Sequence, residues 1–159
     1  MEYHNIQPIY NHNSRVLILG SFPSVKSRQA QFFYHHPQNR FWKTLSALFQ
    51  EDTPKTIEDK KEFLLKHGIA VWDVIESCEI VGSSDSSIQN VKVNDISKIL
   101  SQTSIKQIYT NGQKSHQLYQ KYCLPITKQE DICLPSSSPA NAQYSLDKLI
   151  QEWSIILDI

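Results

Sequence analysis

The chain is poor in several things at once. It has four glycines, one methionine and three cysteines among 159 residues, and no net charge. Cys78, Cys123 and Cys133 are odd in number and widely spaced. They do not make a disulfide framework, a CxxC zinc site or a four-cysteine iron–sulfur site, and are read as reduced thiols. The longest apolar runs, such as Val16–Leu19 and Ile155–Leu157, fall far short of the roughly 20 residues of a membrane span. The opening residues Met1–Asn5 lack the basic and then apolar pattern of a secretory leader. A cytoplasmic protein is expected, as one domain over residues 1–159. There is no GxGxxG, no GxxxxGK[ST] and no GxSxG. Dinucleotide binding, P-loop chemistry and the common serine-hydrolase elbow therefore lack their signatures.

What is present is unevenly distributed. Residues 1–50 carry a net charge of +4, from Arg15, Lys26, Arg28, Arg40 and Lys43 against Glu2, and the remainder carries −4. Four lysines and no acid lie between Lys106 and Lys128. A neutral chain of this kind can still present one basic face to a polyanion, although a solvated surface without a partner has the same composition.

Periodicity alternates between strand and helix. Arg15–Gly20, Ile69–Val74, Ser104–Thr110 and Asp131–Leu134 read as short apolar strands. Helical spacing begins at Arg40 (Phe41, Leu45, Leu48, Phe49), spans Lys55–His67 with Thr56 as N-cap and Gly68 beyond its end, and covers Lys114–Tyr122. A short helix starts near Asn94-Asp95, and a last one carries Leu146, Leu149, Ile150, Trp153, Ile156 and Leu157. Repeated strand-then-helix units predict an α/β fold with a parallel sheet covered on both faces. Ligands of such folds bind at the carboxyl ends of the strands. That selects Gly20–Ser24, Asp73–Cys78, Asn111–Lys114 and Leu134–Asn141.

Each segment has a plain reading and a chemical one. Gly20-Ser21-Phe22-Pro23-Ser24 is a tight turn that lets a ligand approach the backbone. Phe32–Trp42 contains Phe33, Tyr34, His35, His36 and Asn39 just before a helix. Asn39 is either the N-cap of that helix or an amide that orients a water, and the aromatics are either core or a stacking platform for a base. Adjacent His35 and His36, with no acid nearby, make a poor chelate, so no metal site is expected. Asp73 on an apolar strand is costly unless paired or placed at a site. Leu134–Asn141 is a stiff Ser/Pro loop with hydroxyls and backbone N–H groups suited to a phosphate backbone.

Taken in order, Gly-Ser-Phe-Pro-Ser, HPQNRFW and a Ser/Pro loop before the last helix resemble the uracil-DNA glycosylase superfamily. The match is with its hypoxanthine-DNA glycosylase (deoxyinosine glycosylase) branch, and HPQNRFW is also similar to the same stretch of mismatch-specific uracil/thymine glycosylases. The resemblance covers Val16 to Asn141. It implies a three-layer α/β/α sandwich on a four-stranded parallel sheet. It implies a monofunctional enzyme that flips a deaminated base, hypoxanthine above all, out of DNA and hydrolyses its N-glycosidic bond, without metal or cofactor. The substrate would be damaged double-stranded DNA, with single-stranded DNA a further candidate, met by a monomer.

Site residues follow from the same resemblance. Many relatives place Asp or Asn third in the first motif, where it handles the water, and this chain has Phe22 there. The resemblance shifts that task to Asn39, with Asp73 as second catalytic candidate, an acceptor for the N1–H of hypoxanthine that adenine lacks. Uracil-specific relatives carry a His where this chain has Leu134. Ser21, Phe22, Phe33, Tyr34 and Asn111 would surround the base. Ser24, Arg40, Lys114, Ser136, Ser137, Ser138, Pro139 and Asn141 would contact the DNA. A mismatch-specific uracil/thymine glycosylase, a non-cleaving lesion-binding module and a small serine hydrolase remain alternatives.

Overall fold

The computed structural model describes residues 1–158. In chain order the elements are β1 (Glu2–Tyr3), β2 (Val16–Gly20), α1 (Val25–Ala30), α2 (Phe41–Leu48), α3 (Ile57–Lys66), β3 (Ile69–Asp73), β4 (Ile75–Glu79), β5 (Gln89–Val93), α4 (Ile96–Ser101), β6 (Gln107–Asn111), α5 (Gln113–Leu118), α6 (Leu124–Thr127), β7 (Asp131–Leu134) and α7 (Leu146–Trp153). A π-helical turn, Tyr119–Cys123, joins α5 to α6.

The four expected strands form one parallel sheet in the order β3-β2-β6-β7. Strand β2 explains why the sheet is buried on both faces. Its side chains alternate strictly: Val16 and Ile18 join one core with Phe41, Leu45, Leu149 and Trp153, while Leu17 and Leu19 join the other with Ile75, Ile96, Ile108 and Tyr119. Helices α2, α3 and α7 contribute to the first core and α4, α5 and the π turn to the second, giving the three-layer α/β/α sandwich on a four-stranded parallel sheet.

Local signals operate as their chemistry requires. The Thr56 hydroxyl accepts from the Asp59 N–H and caps α3, and Gly68 follows that helix with φ of +70°. A second sheet, β1-β4-β5, is antiparallel and was not expected from the sequence. Strands β4 and β5 form a hairpin leaving directly from the end of β3, so the loop between them, residues 80–88, returns toward the carboxyl edge of the parallel sheet. No described helix is long and apolar enough to cross a membrane. The three cysteines are free, Cys78 and Cys123 buried and Cys133 half-buried.

Strand β2 lies between β3, which follows it, and β6, which enters on its other side. Connections from β2 and β3 thus diverge at this point, and the sheet opens a crevice at its carboxyl edge. Gly20 ends β2, Asp73 ends β3, and Asn111 ends β6.

Candidate active site

A cleft of about 300 Å³ occupies that crevice. All four segments selected from the sequence contribute to its wall: Gly20–Ser24, Asp73, Asn111 and Ser136–Ala140. Phe33, Tyr34, His36 and Asn39 complete one side, and Ser83 and Asp85 complete another.

At the floor, Asp73 is almost fully buried, and its Oδ2 has no hydrogen-bond partner among the described residues. Burial and then the nearby Asp85 carboxylate push the Asp73 carboxyl up to about 7. The approach is so close that a Cβ on Gly20 would stand 2.5 Å from Asp73 Oδ1 and 3.0 Å from the Tyr34 hydroxyl. Gly20 therefore serves as the hydrogen atom that lets these two polar groups share the floor. The Tyr34 hydroxyl is buried there too, and burial together with Asp73 pushes its pKa well above the ordinary phenol value, against the pull of the Asn111 amide.

Tyr34 has φ of +50°, in the left-handed region that a bulky residue rarely occupies. Its ring is held by stacking on Phe41 at 4.0 Å and 14°, and its carbonyl accepts from Trp42 Nε1. Phe33 is more deeply buried and packs edge-on against Phe32. Phe22 is also mostly buried, with its ring between His4 and the Arg28 guanidinium.

The sequence offers Asn39 as the N-cap of α2 or as a water-orienting amide, but the helix starts one residue later than the sequence suggests, so Arg40 is its N-cap and Asn39 precedes it. Asn39 Oδ1 accepts from the Phe41 N–H at the start of α2 and from the Ser137 hydroxyl, both at 2.9 Å. Both lone pairs of that oxygen are thereby used, so Asn39 has no acceptor left for a water. The Nδ2 group carries the remaining capacity, and it is a donor. Ser137 links the two sides: its hydroxyl accepts from Asn111 Nδ2 at 3.0 Å, and its N–H donates to Asn111 Oδ1 at 3.0 Å.

Several residues expected at the DNA surface are occupied inside the protein. Ser137 is fully buried in the network just described. The Arg40 guanidinium donates to the carbonyls of Ser138, Asn141 and Tyr144, pinning the Ser/Pro loop to the start of α2. Asn141 Nδ2 donates to the Ser136 carbonyl, and Ser136 Oγ accepts from the Ser138 N–H. Ser24 caps α1 by accepting from the Ser27 N–H. These groups hold the loops in shape, and Pro139 and Ala140 remain as the exposed loop tip. Lys114, half-buried, lies outside the cleft wall but close enough to act on Asp85 electrostatically. Leu134 is buried in the core and offers the cleft nothing.

Several wall residues, among them Ser27, Ser83 and Asp85, carried no functional reading in the sequence, and His36 was weighed only as a metal ligand. His36 stands at the rim with Nδ1 accepting from the Gln38 N–H. Asp85 sits in the Ser-rich tip Gly82–Ser87, a stretch whose only sequence signal is that of a hairpin turn. Among the described residues no group of three or more His, Cys, Asp or Glu is placed to hold a metal ion.

An α/β/α sandwich whose carboxyl-edge cleft combines an amide donor, a buried carboxyl and an aromatic wall is built to enclose a flat, polar heterocycle. A model of the uracil DNA glycosylase superfamily matches residues 7–156. The chain belongs to that superfamily. A protein of Methanosarcina acetivorans named hypoxanthine DNA glycosylase is 32% identical over 150 residues, 93% of each chain. One of the same name from Methanosarcina barkeri is 30% identical over 143 residues, 89% of each chain. The solution NMR structure of a uracil DNA glycosylase candidate from Methanosarcina acetivorans superposes with a TM-score of 0.83 at 31% identity, covering 97% of this chain and 95% of that one.

Proposed function

We propose that this protein is a monofunctional DNA glycosylase that takes a flipped hypoxanthine base into the cleft and hydrolyses its N-glycosidic bond, acting as a monomer on damaged duplex DNA. The names of the two Methanosarcina relatives support the substrate. The observation that carries the reading is the unsatisfied floor. A buried carboxylate oxygen without a partner costs free energy that a ligand donor recovers. The N1–H of hypoxanthine is such a donor, whereas adenine presents a lone pair at N1. With its carboxyl at about 7, Asp73 is substantially ionised at neutral pH and accepts a hydrogen bond from that N–H.

The other roles follow from what each atom has free. Tyr34, backed by Phe41, supplies the wall on which the base stacks. The base leaves with the bonding electron pair, and Asn39 Nδ2 donates to the charge that develops on it. Ser21, Phe22, Phe33 and Asn111 shape the pocket, and the exposed loop tip at Pro139 faces the DNA. The absence of a polar side chain at Leu134 argues against general uracil excision.

The assay uses labelled duplexes bearing one deoxyinosine, deoxyuridine or deoxyadenosine, followed by alkaline cleavage. Deoxyinosine is expected to be cleaved fastest and deoxyadenosine not at all. Lesion-selective binding without an abasic product would make the chain a binding module and refute the proposal. In the same assay Gly20→Ala is expected to lose at least about tenfold in rate and about 1–3 kcal/mol in stability. The added methyl must displace Asp73 or Tyr34 from the floor. Thermal melting beside single-turnover rates checks both.

A further inference from the structure

Hydrolysis needs an acceptor for the proton of the attacking water, and the residues read from the resemblance do not supply one. Phe22 has no polar atom. Both lone pairs of Asn39 Oδ1 are taken by Phe41 and Ser137. Ser137 and Asn111 are committed to each other. The carboxylates remaining in the cleft wall are Asp73, which the base itself engages in the proposed function, and Asp85.

Asp85 is held at this place by specific contacts. Its Oδ1 accepts from the Ser21 hydroxyl at 2.9 Å, which ties the hairpin tip to the end of β2. The tip is braced further: Arg28 donates to the Gly82 carbonyl at 3.1 Å, the Val25 N–H donates to Ser83 Oγ at 3.0 Å, and the Val81 N–H donates to Ser87 Oγ at 2.8 Å. A polar surface loop has no need of four such ties unless its conformation matters. Ser21 immediately follows Gly20 at the end of β2, so Asp85 reaches from another element to the wall of the cleft beside its floor.

We propose that Asp85 is a further catalytic residue of this glycosylase, the carboxylate that holds the hydrolytic water and takes its proton. The inference rests on the glycosylase reading above. In the step, the water oxygen bonds to C1′ as the C1′–N9 bond breaks. The bonding pair leaves on the base, the water proton passes to Asp85, and the released base is then protonated from solvent as Asp85 gives its proton back. Asp85 must be ionised to act. The groups facing it are the Ser21 hydroxyl, Lys114 on α5, the Asp73 carboxyl at the end of β3, the Cys78 thiol on β4 and the Tyr34 hydroxyl. As a residue Asp85 is exposed at the hairpin tip, but desolvation of its carboxyl against the cleft wall raises it, and Ser21 and Lys114 draw it back down.

The test compares wild type and Asp85→Asn in single-turnover cleavage of a deoxyinosine duplex across pH, with binding to a non-cleavable lesion duplex and thermal melting in parallel. Asparagine keeps an acceptor for Ser21 and loses the base. The expected result is a rate lower by at least about 100-fold, binding within a few-fold of wild type, and an acidic limb that becomes shallower, keeping only the part set by Asp73. Asp85→Ala, whose vacated space admits formate, should regain rate as formate is added, whatever the melting point of Asp85→Asn. An Asp85→Asn rate within threefold of wild type, an unchanged acidic limb, or a loss explained wholly by weaker binding would overturn the inference while leaving the glycosylase reading intact. Failure of the wild type to release the base would instead remove the reading on which it rests.

Discussion

Asn39→Asp is expected to fold at least as stably as the wild type and to cleave deoxyinosine about 10²–10³-fold more slowly. The two halves of the amide have separate duties. Oδ1 receives the Phe41 N–H and the Ser137 hydroxyl, and an aspartate oxygen receives both equally well. The added negative charge stands at the N-terminal end of α2, where the helix dipole favours it. Only the Nδ2 donor is lost, and with it the stabilisation of charge on the leaving base. Asn39→Ala removes both duties. It leaves the Phe41 N–H at the first turn of α2 without its acceptor, at about 1 kcal/mol, and the buried Ser137 hydroxyl without its own, a further cost of about 1–3 kcal/mol. A melting point lowered by several degrees should therefore accompany its inactivity. Equal activity of Asn39→Asp and wild type would mean that the amide serves structure alone. Melting curves and single-turnover rates on the two variants make the distinction.

The opposite trade is expected at Asp73. Its carboxyl, pushed up to about 7, binds a proton more tightly in the folded protein than in the unfolded chain. Its contribution to stability is therefore greatest at low pH and falls as pH rises toward and through 7. Asp73→Asn removes the ionisation. Its stability relative to wild type is expected to rise between pH 5 and pH 8, by about 2 kcal/mol. Asparagine still offers an acceptor for N1–H, so activity persists in part. Asp73→Leu offers none and should lose deoxyinosine cleavage by at least about 100-fold while melting no lower than wild type at pH 8. Denaturant unfolding at the two pH values checks the stability claim. A stability difference that does not change with pH would show that Asp73 is not held near neutrality, and would remove the argument that its free oxygen awaits a ligand.

Much of the fold was legible in the sequence for a simple reason. The four parallel strands are apolar on both faces and end in residues that stop strands, so β2, β3, β6 and β7 stand out as short runs. The β4–β5 hairpin does not. Its strands mix Glu76, Ser77, Glu79, Gln89, Asn90 and Lys92 with a few apolar residues, because one sheet face meets water. Helix α1, VKSRQA, has no apolar stripe and is fixed by its Ser24 cap and its neighbours. Missing the hairpin meant missing Asp85, which reaches the cleft only because β4 turns back on itself.

The cleft itself was legible as four strand ends, since strand order decides where a parallel sheet opens. The direction in which each polar side chain points was not. Arg40 reads as a surface cation, yet three carbonyls of the Ser/Pro loop receive its guanidinium. Ser137 sits in a run of three serines, and only the fold makes it the buried link between Asn39 and Asn111. For Asn39 the sequence offers N-cap or active-site amide, whereas the structure puts Arg40 at the N-cap and engages the Asn39 oxygen with the Phe41 N–H and the Ser137 hydroxyl.

In the proposed function the cleft receives one flipped hypoxanthine and severs its bond to the sugar by hydrolysis. The most direct measurement is to incubate the protein with a duplex carrying a single deoxyinosine, filter away the DNA, and identify the small molecule released by mass spectrometry. Free hypoxanthine is expected, in amounts equal to the abasic sites formed, from a strand that stays intact until alkali is added. Intact deoxyinosine in bound DNA, or a strand already nicked with the base still attached to its sugar, would contradict the proposed function.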